Sequence, residues 1–288
     1  MTQIELEKIK SIAREAGEKV LEVYKGDLDK KRKKDNSFVT KADLVSERII
    51  LKGLKGFGYP VLSEEKKDDL KRLDSDFLFI VDPLDGTRDF VEETGDFSIM
   101  IGLAQKGEPV MGVVYKPVGD KLYYAQKGKG AFLEERGKVK KLNVSFEKDL
   151  KRSTLVMSRF HLSNTEEKLL DKGIVKESLR SGSIGVKVGL IAEGKAEGYF
   201  NKSSRTCEWD TCAPEVILKE ANGKITDLDG ESLNYNSKRV NNENGVVATN
   251  KNIHSLLIEG IKEVWKKFYI LLQEQQRVEG QKKILIIP

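Results

Sequence analysis

The run Phe77-Leu78-Phe79-Ile80-Val81-Asp82-Pro83-Leu84-Asp85-Gly86-Thr87 turns from apolar to acidic in a few residues. Its first five residues are apolar and partly β-branched, the pattern of a buried strand. Pro83 has no N–H to give to a sheet ladder, so the strand is expected to end there. Asp82 and Asp85 then stand three residues apart on a tight turn, next to a glycine that permits close backbone approach and a threonine hydroxyl. Oxygen ligands gathered where a strand ends suit Mg²⁺, which takes carboxylates, carbonyls, waters and phosphates. Taken alone, the same turn is equally an ordinary acidic loop.

Working outward, residues 4–25 place Ile4, Leu6, Ile9, Ile12, Ala13, Ala16, Val20, Leu21 and Val23 at helical spacing, closed by Gly26. A second helical pattern follows Asp43, carrying Leu44, Val45, Ile49, Ile50, Leu51 and Leu54. Val61-Leu62-Ser63 reads as a short strand running into Glu64-Glu65. From 97 to 133 the pattern turns period-two, with stretches at 97–103, 109–115 and 122–125 separated by turn signals, and predicts an antiparallel meander. Further on, strands at 155–157 and 196–200 alternate with helices at 164–172, 186–193 and 213–220, the last with Pro214 in its first turn. The alternation predicts an α/β fold in two subdomains, 1–140 and 141–262, with 263–288 as an appended tail.

Composition excludes several function classes. The 288 residues include 51 basic and 46 acidic side chains, so the net charge of +5 is no nucleic-acid signature. The run Lys30-Lys31-Arg32-Lys33-Lys34 reads as a solvated loop. Two histidines leave almost no material for a His-based zinc site or a Ser-His-Asp triad, so carboxylates must carry any metal. Two cysteines, no apolar N-terminal segment and no long uncharged apolar run point to the cytoplasm and away from secretion or membrane insertion.

Three more acidic positions have contexts of their own. Glu64 and Glu65 follow a strand shortly before the opening motif, so both strand ends can lie at one sheet edge. Asp43 precedes a helix and can equally be its N-cap. Asp210, in Cys207-Glu208-Trp209-Asp210-Thr211-Cys212-Ala213-Pro214-Glu215, precedes another helix and can also be a plain cap. Four or five converging carboxylates would repel one another unless cations neutralised them, and two or three Mg²⁺ ions suit phosphate ester hydrolysis. A helix N-terminus behind Asp210 would add N–H donors for the phosphate.

Asp82 to Thr87 followed by Phe90, Trp209-Asp210 followed by Ala213-Pro214, and the upstream Ser63-Glu64-Glu65 together resemble the signature motifs of the Mg²⁺-dependent, lithium-sensitive phosphatases. That superfamily includes inositol monophosphatase, archaeal-type fructose-1,6-bisphosphatase and 3'(2'),5'-bisphosphate nucleotidase. The resemblance spans about residues 1–260 and implies a five-layered α-β-α-β-α sandwich. It implies metal ligands at Glu64, Asp82, the Leu84 carbonyl, Asp85 and Asp210, with Asp43 and Glu65 in a looser third-metal shell. Thr87, paired with Glu64, would orient and activate the water, and the Gly86 and Thr87 amides would meet the phosphate.

Within the superfamily, the second motif followed by Gly223-Lys224-Ile225-Thr226-Asp227 is similar to the nucleotidase version. Ser158-Arg159-Phe160-His161 resembles a nucleotidase segment, and Lys187, in Ser183-Ile184-Gly185-Val186-Lys187, falls where those enzymes keep a lysine. Lys187, Arg159 or His161 could then receive a second substrate phosphate, with Ser183 nearby; Lys187 could equally be a snorkelling lysine and His161 a loop residue. Asn201 departs from the pattern, standing where nucleotidases often carry a basic residue. The expected activity is hydrolysis of adenosine 3',5'-bisphosphate to AMP and phosphate. The alternatives are an inositol-1-monophosphatase, a fructose-1,6-bisphosphatase, or an inactive binding protein of the same fold. The expected partner is a small phosphate ester, with neither nucleic-acid polymer nor membrane, and the long apolar meander is compatible with a homodimer.

Overall fold

The computed structural model describes residues 3–26, 30–32, 38–160 and 164–266. Two large sheets carry the chain, and a two-stranded ribbon pairs Lys30–Arg32, read from the sequence as part of a loop, antiparallel with Phe38–Thr40. Seven strands pair in the order Val61–Ser63, Phe77–Asp85, Ser98–Gln105, Glu108–Lys116, Lys121–Gln126, Ala131–Glu135 and Lys138–Lys141. Five strands form the second sheet in the order Glu177–Ser181, Thr154–Ser158, Gly198–Asn201, Val246–Thr249 and Lys224–Thr226. Both sheets mix parallel and antiparallel neighbours.

Three cores separate five layers. On one face of the larger sheet, Phe79, Val81, Ile99 and Ile101 pack against Ile9, Ala13, Ala16 and Ile50 of helices Gln3–Tyr24 and Lys41–Leu54. On its other face, Leu78, Ile80 and Met100 meet Val188 and Ile191 of helix Ile184–Ala192 and Val216 and Ile217 of helix Glu208–Glu220. Those two helices also cover Val156, Tyr199, Val246 and Ala248 of the smaller sheet. Its outer face, with Leu155, Met157, Phe200 and Val247, is closed by Leu169 and by Leu257 and Ile261 of the helix over 254–266. The order is α-β-α-β-α. Strand Phe77–Asp85 is buried on both faces, which is why its sequence reads as a continuous apolar run.

Several elements differ from the sequence reading. The strand does not stop at Pro83 but runs to Asp85. Its parallel neighbour pairs only with Phe79 to Val81, so at Pro83 no ladder bond is missed on that side. Helix Glu208–Glu220 begins before Ala213, which puts Pro214 in its interior. The Asp210 carbonyl thus loses its usual i+4 donor. Lys138–Lys141 forms an edge strand despite its lysines, all four residues being exposed; charge of this kind keeps an edge from pairing with other chains. Residues 263–266 of the expected tail are helical, with Val264 buried, and 267–288 lie outside the described residues.

Candidate active site

In a regular strand, residues three apart face opposite sides. Between Asp82, opposite Met100, and Asp85, opposite Ser98, the register shifts by one residue. That bulge turns the two carboxylates to the same side. The irregular backbone is held from behind, where Ser46 donates to the Pro83 carbonyl at 2.7 Å. Asp82 Oδ1 accepts the Leu84 N–H at 2.9 Å. Gly86 closes the bulge at φ +89°, and a Cβ there would stand 3.0 Å from the Asp96 carbonyl oxygen and 3.1 Å from the Ser183 nitrogen. Only glycine fits without strain.

The other ligand candidates come from separate elements. Ser63 pairs in parallel with Val81, and the Glu64 N–H reaches the Val81 carbonyl at 3.2 Å, which delivers Glu64 beside Asp82; the Glu65 charge acts on Asp43. Asp210 is the third residue of its helix, and its Oδ2 accepts the Cys207 N–H at 2.6 Å in a capping box. Oxygens of Asp82, Asp85 and Asp210 lie within 4.8 Å of one another. The cap reading of Asp210 and the ligand reading are therefore compatible, since one oxygen caps and the other is left for a ligand.

Asp43 is likewise both. Its Oδ2 accepts the Thr40 N–H and the Thr40 hydroxyl, each at 2.7 Å, closing a capping box. The Thr87 hydroxyl lies 3.4 Å from Asp43 Oδ1 and 3.2 Å from the Leu84 carbonyl. Thr87 thus reaches Asp43 as well, a contact that the resemblance, which pairs Thr87 with Glu64, does not imply. Thr40 was also not anticipated, although Thr40-x-x-Asp43 is a helix-start signal.

The electrostatics are those of buried acids crowded together. Burial pushes the Asp82 carboxyl well above the usual range, and the charges of Glu64, Asp85 and Asp210 push it further. Burial does the same to Asp210, reinforced by Asp85 and Glu64. Asp85 is raised by burial and drawn back by its donors: Ser183 Oγ at 2.6 Å and the Gly185 N–H at 3.0 Å. Burial raises Asp43 to about 6. Hard oxygen donors crowded against their own repulsion fit a small divalent cation such as Mg²⁺.

The residues expected to meet substrate are placed differently. Ser183 caps helix Ile184–Ala192 and binds Asp85, so it positions a ligand. Lys187 is only 4% exposed, with Nζ 5.0 Å from the centre of the Tyr199 ring. Burial pushes its ammonium down from the usual range, and Asp85, Asp89, Glu166 and Asp210 oppose that shift. It sits among acids and is not a snorkelling surface lysine. Arg159 is taken up by two carboxylates, donating to Asp89 at 3.1 Å and pairing with Asp96. His161 lies outside the described residues.

One spacing device was invisible to periodicity. Gly102 and Gly112 pair across neighbouring strands, directly under helix Glu208–Glu220. A Cβ on Gly112 would lie 2.2 Å from the Ala213 carbonyl oxygen, and one on Gly102 2.5 Å from Cys212 Sγ. Gly102 also pairs with Ile80, two residues before Asp82. The sheet that carries Asp82 and Asp85 thereby sets how close the Asp210 helix can sit.

This layered fold, with its carboxylates converging between the two sheets, and the matches that follow define a phosphoric monoester hydrolase of a generally metal-dependent family. The chain matches the inositol monophosphatase family over residues 3–266 and belongs to that family. It is 37% identical over 235 residues to the 3'(2'),5'-bisphosphate nucleotidase CysQ of Salmonella typhimurium, a match covering 80% of this chain and 93% of that one. Identity to the Escherichia coli K12 protein of the same name is 35%, with the same coverage. Among solved structures, CysQ from Bacteroides thetaiotaomicron superposes with a TM-score of 0.75 at 34% identity, covering 86% of this chain and 98% of that one. An inositol monophosphatase from Thermotoga maritima gives a TM-score of 0.79 at 25% identity, covering 92% and 99%.

Proposed function

We propose that this enzyme is a Mg²⁺-dependent 3'(2'),5'-bisphosphate nucleotidase, cytoplasmic, that converts adenosine 3',5'-bisphosphate and water to AMP and phosphate. The observation that carries the metal chemistry is the convergence of Asp82, Asp85 and Asp210 within 4.8 Å. The nucleotide assignment is supported by similarity to the nucleotidases of S. typhimurium and E. coli. The free, buried Cys207 and Cys212 agree with a reducing compartment.

Asp82, Asp85, Asp210, Glu64 and the Leu84 carbonyl would hold two or three cations, with Glu65 at the margin. When bound, Mg²⁺ neutralises the carboxylates and the phosphate and acidifies the attacking water. Asp85 is oriented by Ser183 and Gly185, so its second oxygen stays available to a ligand. The Thr87 hydroxyl donates toward Asp43 Oδ1, leaving its own lone pairs for a water O–H. Asp43, hydrogen-bonded to the Thr87 hydroxyl, would take the water's proton through it. The Gly86 and Thr87 amides, at the start of helix Thr87–Val91, would meet the phosphate oxygens. Attack would form a P–O bond to the water oxygen as the P–O3' bond breaks, and the proton given up by that water would return through solvent to O3', which leaves as a hydroxyl.

The test is phosphate release from adenosine 3',5'-bisphosphate, inositol-1-phosphate and fructose-1,6-bisphosphate in parallel, with Mg²⁺ and after chelation. The expected result is Mg²⁺-dependent turnover with the highest kcat/KM on the nucleotide. A higher kcat/KM on inositol-1-phosphate would replace the substrate assignment, and turnover unaffected by chelation would remove the metal assignment.

A further inference from the structure

A bisphosphorylated substrate leaves a second phosphate one ribose away from the metal cluster. The residues expected to meet it are committed elsewhere: Arg159 to Asp89 and Asp96, and Lys187 to a buried position. Another cation stands at the catalytic turn. Arg88 directly follows Thr87 and is exposed, and its guanidinium carbon lies 4.4 Å from the centre of the Phe160 ring.

The two chain segments interlock crosswise. Arg88 stacks on Phe160, while the next residue, Asp89, pairs with Arg159, the residue before Phe160. Asp89 itself is buried, and its Oδ1 also accepts the Thr94 hydroxyl at 2.8 Å. Asp96 takes Arg159 on one oxygen and Lys116 on the other, the latter at 2.8 Å. The Arg159 pairs therefore fix where Phe160 sits, and Phe160 fixes Arg88. The clasp spans the two sheets, because Phe160 follows strand Thr154–Ser158 at its carboxyl end, where ligands of α/β folds collect.

Stacking on a ring uses the face of a guanidinium and leaves the N–H donors at its edge. Those donors match a phosphate bidentately, and a side chain already held by a ring loses less rotamer freedom on binding. We propose that Arg88, braced by Phe160, is the specificity residue for the second phosphate of a nucleoside bisphosphate. This rests on the nucleotidase reading above.

The test compares adenosine 3',5'-bisphosphate with adenosine 3'-monophosphate, which lacks only the second phosphate. Arg88→Ala is expected to raise KM for the bisphosphate by about tenfold or more, the loss of one charge-assisted contact. KM for the monophosphate should stay within about twofold and kcat should hold for both, since no group at the reacting phosphorus has changed. Arg88→Lys should fall between, keeping charge without the fork. Phe160→Leu should raise the bisphosphate KM alone, by loosening Arg88. Equal effects of Arg88→Ala on both substrates, or none on either, would overturn the assignment. A wild-type enzyme that turns over inositol-1-phosphate but neither nucleotide would overturn the nucleotidase reading instead, and the second-phosphate role with it.

Discussion

The larger sheet and the helices packed on it contribute to one site in different ways. The seven-stranded half supplies Asp82, Leu84, Asp85, Gly86 and Thr87 from one continuous stretch, with Glu64 just past the end of the adjacent parallel strand. The helices packed between the sheets supply single residues from separate elements: Ser183 at one helix start and Asp210 inside another. The first half builds a ligand set through local backbone geometry, whereas the second must be held in place by contacts across the interface. On the proposed reading the ligand set is encoded locally, and its completion by Asp210 depends on how closely the helix Glu208–Glu220 packs on the larger sheet.

The largest expected effect comes from removing the contribution of the second half. Asp210→Asn should lower Mg²⁺-dependent phosphate release on the order of a thousandfold or more, the loss of several kcal/mol of metal-borne stabilisation. Its melting temperature without metal should not fall, because the substitution relieves repulsion at a buried carboxylate. Comparable activity in the variant would mean that the first half works alone.

A smaller effect should follow from changing only the spacing. Gly112→Ala pushes against the Ala213 carbonyl and should weaken Mg²⁺ binding by about 10- to 100-fold, as disturbed ligand supports do. Gly17→Ala is the control: its Cβ would lie 2.4 Å from the Tyr115 ring, on the far face of the same sheet. Calorimetric Mg²⁺ titration of both variants should separate them. Equal losses would reduce the glycine seat to general packing.

The smallest effect is in pH dependence without metal. Asp82 and Asp210 hold their carboxyls well above the usual range, and Glu208 is raised to about 7, in each case chiefly by burial. The native state then binds more protons than the unfolded chain, so stability falls as pH rises through this window. Between pH 6.5 and 8 the metal-free melting temperature should drop by at least about 3 °C, the shift that one kcal/mol gives in a chain of this size. Saturating Mg²⁺ should remove most of that slope. A flat profile without metal would contradict the crowding of the carboxylates.

The same asymmetry governs what could be read from the sequence. The first half was legible because its motif is contiguous and its apolar run marks a strand buried on both faces. Its bulge was not, since Pro83 signals a strand end by local rules and only the short reach of the neighbouring strand lets it continue. Asp210 stands out through its motif, but local rules place its helix start too late, because Pro214 is a first-turn signal that packing overrides. Arg159 and Lys187 were recognised as notable charges, yet only three-dimensional pairing shows Asp89 and Asp96 holding one and burial enclosing the other. Gly102 and Gly112 gave no signal, because close approach by a distant helix leaves no periodic trace.

That one metal centre is shared between the halves is tested most directly by locating the metal. Anomalous scattering from crystals grown with Mn²⁺, in place of Mg²⁺, should give density contacting Asp82, Asp85 and Asp210 together. Mn²⁺ bound by Asp82 and Asp85 with Asp210 left uncoordinated would contradict the account.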